Sequence, residues 1–177
     1  MITIHPKAFI HETVVLGPNV TIEEDVYVGP YCIIGMPAEY KEMEHMDAGV
    51  KIEAGARLTG MVTVDAGVHR CTVIGAGTYL MKHSHVGHDA MLYPGVTLSC
   101  GAKVGGHATV KYHANIGLNA VIHQKQMIAE GCMIGMGAVV TKKLVTEPYK
   151  TYAGNPARLI GENSNHPNYT IYLKDSI

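Results

Sequence analysis

The 177-residue chain has no tryptophan, and Phe9 is its only phenylalanine. A core without large rings must be narrow and filled by smaller side chains. No run of 18 or more apolar residues occurs, so no membrane-spanning helix is expected. The opening Met1-Ile2-Thr3-Ile4-His5-Pro6 lacks the features of a signal peptide, and the expected location is cytoplasmic. Net charge is −1, which excludes the basic field that drives nucleic-acid binding. The four cysteines (Cys32, Cys71, Cys100, Cys132) form no C-x-x-C pair. Cys32 and Cys132 fall in a small-residue slot of the pattern described next and read as buried, reduced thiols.

What the chain does have is a period of six. From Ile74, every sixth residue is a branched aliphatic, through Leu80, Val86, Leu92, Leu98, Val104, Val110, Ile116, Ile122, Ile128 and Ile134 to Val140. The same phase runs through Ile10, Leu16, Ile22, Val28 and Ile34, and again through Ile52, Leu58 and Val64. A small or β-branched residue usually follows four positions later, as at Ala90, Ala102, Ala108 and Ala114. Neither a helix face nor a simple strand has this period. It is the hexapeptide signature of a parallel β-helix, in which each hexad supplies a short strand and a turn. The 20 glycines suit its tight corners.

The pattern predicts an all-β domain over residues 1–140, interrupted twice. Residues 36–49 (MPAEYKEMEHMDAG) break it with charges, Met and Pro, and read as an external loop. The gap from Val64 to Ile74 is one hexad plus four, so a small bulge is expected within 66–72. Residues 141–177 contain Pro148, Pro156 and Pro167 and read as a C-terminal extension capping the last coil.

Three hexads make an 18-residue coil, with coils stacked about 4.8 Å apart. Residues 18 apart then lie above one another. Asp89 falls under His107 and His107 under Lys125, while His88 falls under Gly106 and Gly106 under Gln124. His123 is one residue from that column. Side chains scattered along the chain thus share one corner over about 10 Å, and the bulge carrying His69 and Arg70 meets it one coil below. Any one of the 11 histidines could be a solvated turn residue. A carboxylate and several imidazoles at one corner point instead to a site. An imidazole beside a carboxylate is a general base held in one tautomer. Gly106 would let a backbone N–H approach a substrate oxygen, as an oxyanion donor must. The other chemistry is a metal site at His83, His85 and His88. No two histidines there are 18 or 36 residues apart, so no metal is expected.

The segments LMKHSHVGHD (80–89), VGGHATV (104–110) and AVIHQ (120–124) resemble the UDP-N-acetylglucosamine acyltransferase family of lipid A biosynthesis, a likeness that covers roughly residues 10–140. The resemblance implies a left-handed parallel β-helix assembled as a homotrimer. It implies transfer of an acyl group from a thioester to a nucleotide sugar such as UDP-N-acetylglucosamine. His88 would be the general base, Asp89 its partner, and the Gly106 amide the oxyanion donor. His85, His107, His123 and Gln124 would bind substrates, Glu39 and Lys41 would grip the sugar nucleotide, and Met136 would limit acyl length. Met136 could equally fill a gap between coils, and the charged loop around Glu39 could equally be a solvated face.

No cofactor is expected beyond the co-substrate, acyl carrier protein or coenzyme A thioester. Residues 141–177 are not expected to form the C-terminal helical domain of that family. YAGNPARLIG (152–161) resembles instead the close of coenzyme-A-dependent hexapeptide acetyltransferases, which favours acetyl-CoA-dependent N-acetylation of an amino-sugar nucleotide as the alternative. A zinc lyase resembling γ-class carbonic anhydrase is the third reading.

Overall fold

The computed structural model describes residues 1–39 and 47–170. The chain is a left-handed parallel β-helix of about eight turns, with hexapeptide repeats and almost no helix. Most strands are very short, each supplied by one hexad, and they stack into three parallel sheets that form the faces of a triangular prism. The first face runs from Thr3–Ile4 to Met127–Ile128, the second from Phe9–Ile10 through Met133–Ile134, and the third from Val15–Leu16 to Val139–Val140.

The register explains the period. Thr3 pairs with Thr21, Tyr79 with Thr97 and Met133 with Thr151, each a step of three hexads. The aliphatic of every hexad therefore stacks on the one a coil below. Ile74, Leu92, Val110 and Ile128 form one such ladder, all at 0% exposure. The small slot is equally sealed, with Ala90, Ala102, Ala108, Ala114, Ala120 and Ala138 buried where two faces meet too closely for a larger side chain. Cys32 and Cys132 occupy this slot as buried free thiols. Burial pushes the Cys132 thiol up to about 11, so it stays protonated at neutral pH. Phe9 is outside the core and stacks on Tyr27, ring centroids 5.1 Å apart.

The three-hexad step is broken twice, both times at the corner where the third face turns into the first. Val20 pairs with Val50, overshooting a regular coil by two hexads. Val50 then pairs with Thr72, overshooting by the four-residue bulge. The two insertions meet. The Ala48 N–H donates to the Gly67 carbonyl, and the Gly67 and Thr72 N–H groups donate to the Gly49 carbonyl.

The stacking also continues past Val140. Tyr152, three hexads after Ile134, pairs with it from the strand Lys150–Ala153 and is 2% exposed. Arg158–Glu162 then folds back antiparallel on that strand. Among the described residues, no helix is long and apolar enough to cross a membrane.

Candidate active site

The corner between the third and first faces carries the site. The turn slot taken by glycine at many other corners (Gly77, Gly95, Gly101, Gly131) is taken here, on successive coils, by Asp89, His107 and Lys125. These three have φ of 58°, 59° and 61°, the left-handed region that L side chains rarely adopt. The turn also resolves a difficulty of the sequence. His88 and Asp89 are adjacent, and strand alternation would point them to opposite sides. With Asp89 in the left-handed conformation, its carboxylate folds back under the imidazole.

His88 Nδ1 lies 2.7 Å from Asp89 Oδ2. An ionised carboxylate only accepts, so Nδ1 carries the proton and the neutral ring has its lone pair on Nε2. Nε2 faces Gly106: a Cβ built there would fall 2.6 Å from it. Among the described residues the Gly106 N–H has no acceptor, while its carbonyl accepts from the Lys125 N–H. A proton acceptor and an unused amide donor thus sit side by side. His107 is in the turn above, its ring 4.9 Å from that of His88 and nearly perpendicular to it. His69 also stacks on His107, ring centroids 5.9 Å apart.

Asp89 is completely buried. Its Oδ1 accepts from the N–H groups of His69 (2.7 Å) and Arg70 (2.6 Å), and its Oδ2 accepts from that of Val68 (3.1 Å) as well as from His88. Burial by itself would raise the acid's pKa. The His88 bond and the three backbone donors outweigh it and hold the carboxyl well below the usual carboxylate range. His107 shifts down, chiefly because burial disfavours its charged form. The Asp89 carboxylate opposes this, whereas His88, Lys125 and His69 add to it.

A second group lies on the third face beside this corner. Glu39, Met61, Thr63, Asp65, His83, His85 and Lys103 line an open cleft of about 500 Å³. His85 Nδ1 is 2.8 Å from Thr63 Oγ1, and its Nε2 is 3.7 Å from Asp65 Oδ2. Burial raises the Asp65 carboxyl, against the lowering effect of His85 and His88. Lys103 Nζ donates to the carbonyls of Gly101 and His83. The sequence reading missed Thr63 and Asp65. Counting the four-residue slip would have found them, because it places Thr63 directly under His85.

The other expected residues fall as follows. His123 and Gln124 occupy the same corner one coil above His107; both are exposed, and His123 Nδ1 donates to the Gln124 carbonyl at 2.8 Å. Glu39 is at the rim of the cleft, and Lys41 lies outside the described residues. Met136 is 75% exposed at the corner between the second and third faces. It fills no gap between coils, and within one protomer it stands at a different corner from His88.

His83, His85 and His88 do not converge: His83 and His85 line the cleft, and His88 turns to Asp89. Donor atoms of His88, Asp89 and His107 do lie within 4.8 Å of one another. Both Asp89 oxygens, however, already accept from protein donors, which leaves the carboxylate poorly placed to ligate a cation.

Residues 2–38 match the family model of the bacterial transferase hexapeptide (six repeats). The chain is 29% identical over 170 residues to the acyl-[acyl-carrier-protein]–UDP-N-acetylglucosamine O-acyltransferase of Campylobacter concisus, with 87% of this chain and 64% of that protein covered. It is 27% identical over 157 residues to the carnitine operon protein CaiE of Salmonella agona, with 89% and 65% covered. The chain thus spans less than two thirds of the length of these curated relatives. Among solved structures, the UDP-N-acetylglucosamine acyltransferase of Campylobacter jejuni superposes with a TM-score of 0.73 at 25% identity, covering 93% of this chain and 76% of that one.

Proposed function

We propose that this chain, a hexapeptide-repeat β-helix similar over most of its length to UDP-N-acetylglucosamine acyltransferases, transfers an acyl group from a thioester to a nucleotide-activated hexosamine. The observation that carries this reading is the dyad beside the glycine: His88 Nδ1 on Asp89 at 2.7 Å, with Nε2 against Gly106. In this reading Nε2 takes the proton of the acceptor's hydroxyl as its oxygen attacks the thioester carbonyl. The Gly106 N–H then holds the oxyanion of the tetrahedral intermediate, and collapse expels the thiolate. Asp89 keeps the imidazole in the reactive tautomer and stabilises the imidazolium that forms. His107 sits beside the intermediate.

The cleft of Thr63, Asp65 and His85 receives the sugar, with Glu39 at its rim, and Lys41 is assigned to grip the sugar nucleotide with it. His123 and Gln124 lie along the donor's approach. The donor is an acyl carrier protein or coenzyme A thioester, and no bound cofactor or metal is needed.

The working unit in this reading is a cytoplasmic homotrimer with sites between subunits, where Met136 of an adjoining copy would limit acyl length. Exposed Val15, Ile33 and Val121 on the third face suit such packing. Acetyl-CoA-dependent transfer to an amino-sugar nucleotide is the second reading. It is favoured by the YAGNPARLIG segment, which continues the second face and folds back on it.

Thermal shifts with UDP-N-acetylglucosamine, an amino-sugar nucleotide, coenzyme A and acyl carrier protein choose among these, followed by acyl transfer with the pair that binds. Stabilisation by a sugar nucleotide and turnover with a thioester are expected. One tightly bound zinc per subunit with no transfer would overturn the reading in favour of a metal lyase.

A further inference from the structure

The four-residue insertion, together with Thr72 at the start of the strand it leads into, makes five hydrogen bonds to a single residue. Three are the backbone N–H groups of Val68, His69 and Arg70 on the Asp89 carboxylate. In the fourth, Arg70 Nε donates to the Asp89 carbonyl at 2.8 Å. In the fifth, the Asp89 N–H donates to Thr72 Oγ1 at 2.9 Å, and Thr72 is itself fully buried. Every hydrogen-bonding group of Asp89, both main-chain and side-chain, is thus gripped from the coil below. At an ordinary corner the turn residue's N–H donates instead to a backbone carbonyl of the coil below, as His107 does to His88 and Lys125 to Gly106. The grip acts on a residue with φ of 58°, the left-handed region that every residue but glycine occupies at some cost, although aspartate bears it better than most. Rotation of Asp89 out of that conformation would carry its carboxylate away from His88.

We propose that residues 68–72 form a clamp whose task is to hold Asp89 for catalysis, with Thr72 and Arg70 as positioning residues that act through Asp89 on His88. The proposal rests on the reading of His88 as the general base. Thr72 fixes the amide end of Asp89 and Arg70 the carbonyl end, and the three N–H groups fix the carboxylate between them. In this role both side chains act through their bonds to Asp89. The insertion is therefore part of the active site, not a loop tolerated on its edge.

Two measurements test the clamp. One is kinetic. Thr72→Val keeps the volume but removes the acceptor, and Thr72→Ser restores it. We expect Thr72→Val to lower kcat by about tenfold or more with KM changed less than about twofold, and Thr72→Ser to recover most of the loss. In an Asp89→Asn background the Thr72→Val substitution should cost almost nothing further, because its effect is routed through Asp89. A full multiplicative loss in that background, or wild-type kcat for a folded Thr72→Val protein, would overturn the proposal.

The other measurement needs no activity. The His88 Nδ1 proton should give a downfield NMR resonance, identified by its loss in His88→Gln. It should shift or broaden in Thr72→Val and in Arg70→Lys, and stay in place in Thr72→Ser. Arg70 is exposed, so its variant tests the clamp even if Thr72→Val does not fold. If the wild-type protein transfers no acyl group, the functional reading fails and the resonance still decides the clamp. An unmoved resonance in Arg70→Lys and in any folded Thr72→Val sinks it.

Discussion

His88 donates from Nδ1 to Oδ2 of Asp89 at 2.7 Å, although the two are neighbours in the chain. Neighbours in a strand cannot do this; a left-handed turn at the second of them can. The pair therefore depends on the corner, and its chemistry depends on the ring. Replacing His88 by Ala removes the proton acceptor and leaves the coil's aliphatic ladder untouched. Acyl transfer should fall by about 10²–10⁴, with the unfolding temperature nearly unchanged. Retention of more than about a tenth of wild-type turnover would remove His88 from the mechanism.

Gly106 is required by space. A methyl group there would fall 2.6 Å from His88 Nε2 and 3.0 Å from the adjacent ring carbons, so the imidazole must move. Gly106→Ala should keep the fold, since the site is only half-buried, while kcat drops by about 10² because the base leaves its place. Steady-state kinetics beside a circular dichroism spectrum separates the two effects. Unchanged kcat would mean that the ring does not act from this position.

Acid should weaken the protein in two separable steps. His107 is held below the ordinary imidazole pKa, so the folded state prefers the neutral ring. As pH falls below about 6.5 the unfolded chain takes up that proton first, and stability declines. Asp89 is held well below the ordinary carboxylate pKa. Its contribution is complete above about pH 4 and is lost as pH falls further. Denaturant midpoints for His107→Gln should therefore vary less than wild type between about pH 7 and 5. Those for Asp89→Asn should vary less only below about pH 4. A wild-type slope in both variants would mean that other groups control the acid response.

The prism, its three faces and the candidate corner were legible because the period sets all three. Once an aliphatic recurs every six residues, the three-hexad step places His88, Gly106, Asp89 and His107 together. What escaped did so for physical reasons. Asp65 and Thr63 sit in ordinary outward strand slots, and they reach His85 only after the longer step at the bulge is counted. The burial of Asp89 depends on backbone N–H groups, which every residue has and no residue type announces. Met136 carries no mark of which corner it faces until the coils are built.

The end of the repeat was hidden by a change of residue type. One hexad after Val140 comes Thr146, which is buried, with its hydroxyl accepting from the Ala129 N–H and donating to the Met127 carbonyl. One hexad further on comes Tyr152, which closes the core in place of an aliphatic and accepts from the Glu147 N–H at 2.9 Å. A tyrosine fits there because, among the described residues, no further coil stacks on it. If the ring is the plug of an otherwise open prism, Tyr152→Ala should cost about 3–5 kcal/mol, the usual range for emptying a buried aromatic site. Tyr152→Phe should cost only about 1 kcal/mol, the hydrogen bond alone. Equilibrium denaturation measures both. A small loss for Tyr152→Ala would mean that the segment lies on the coil without sealing it.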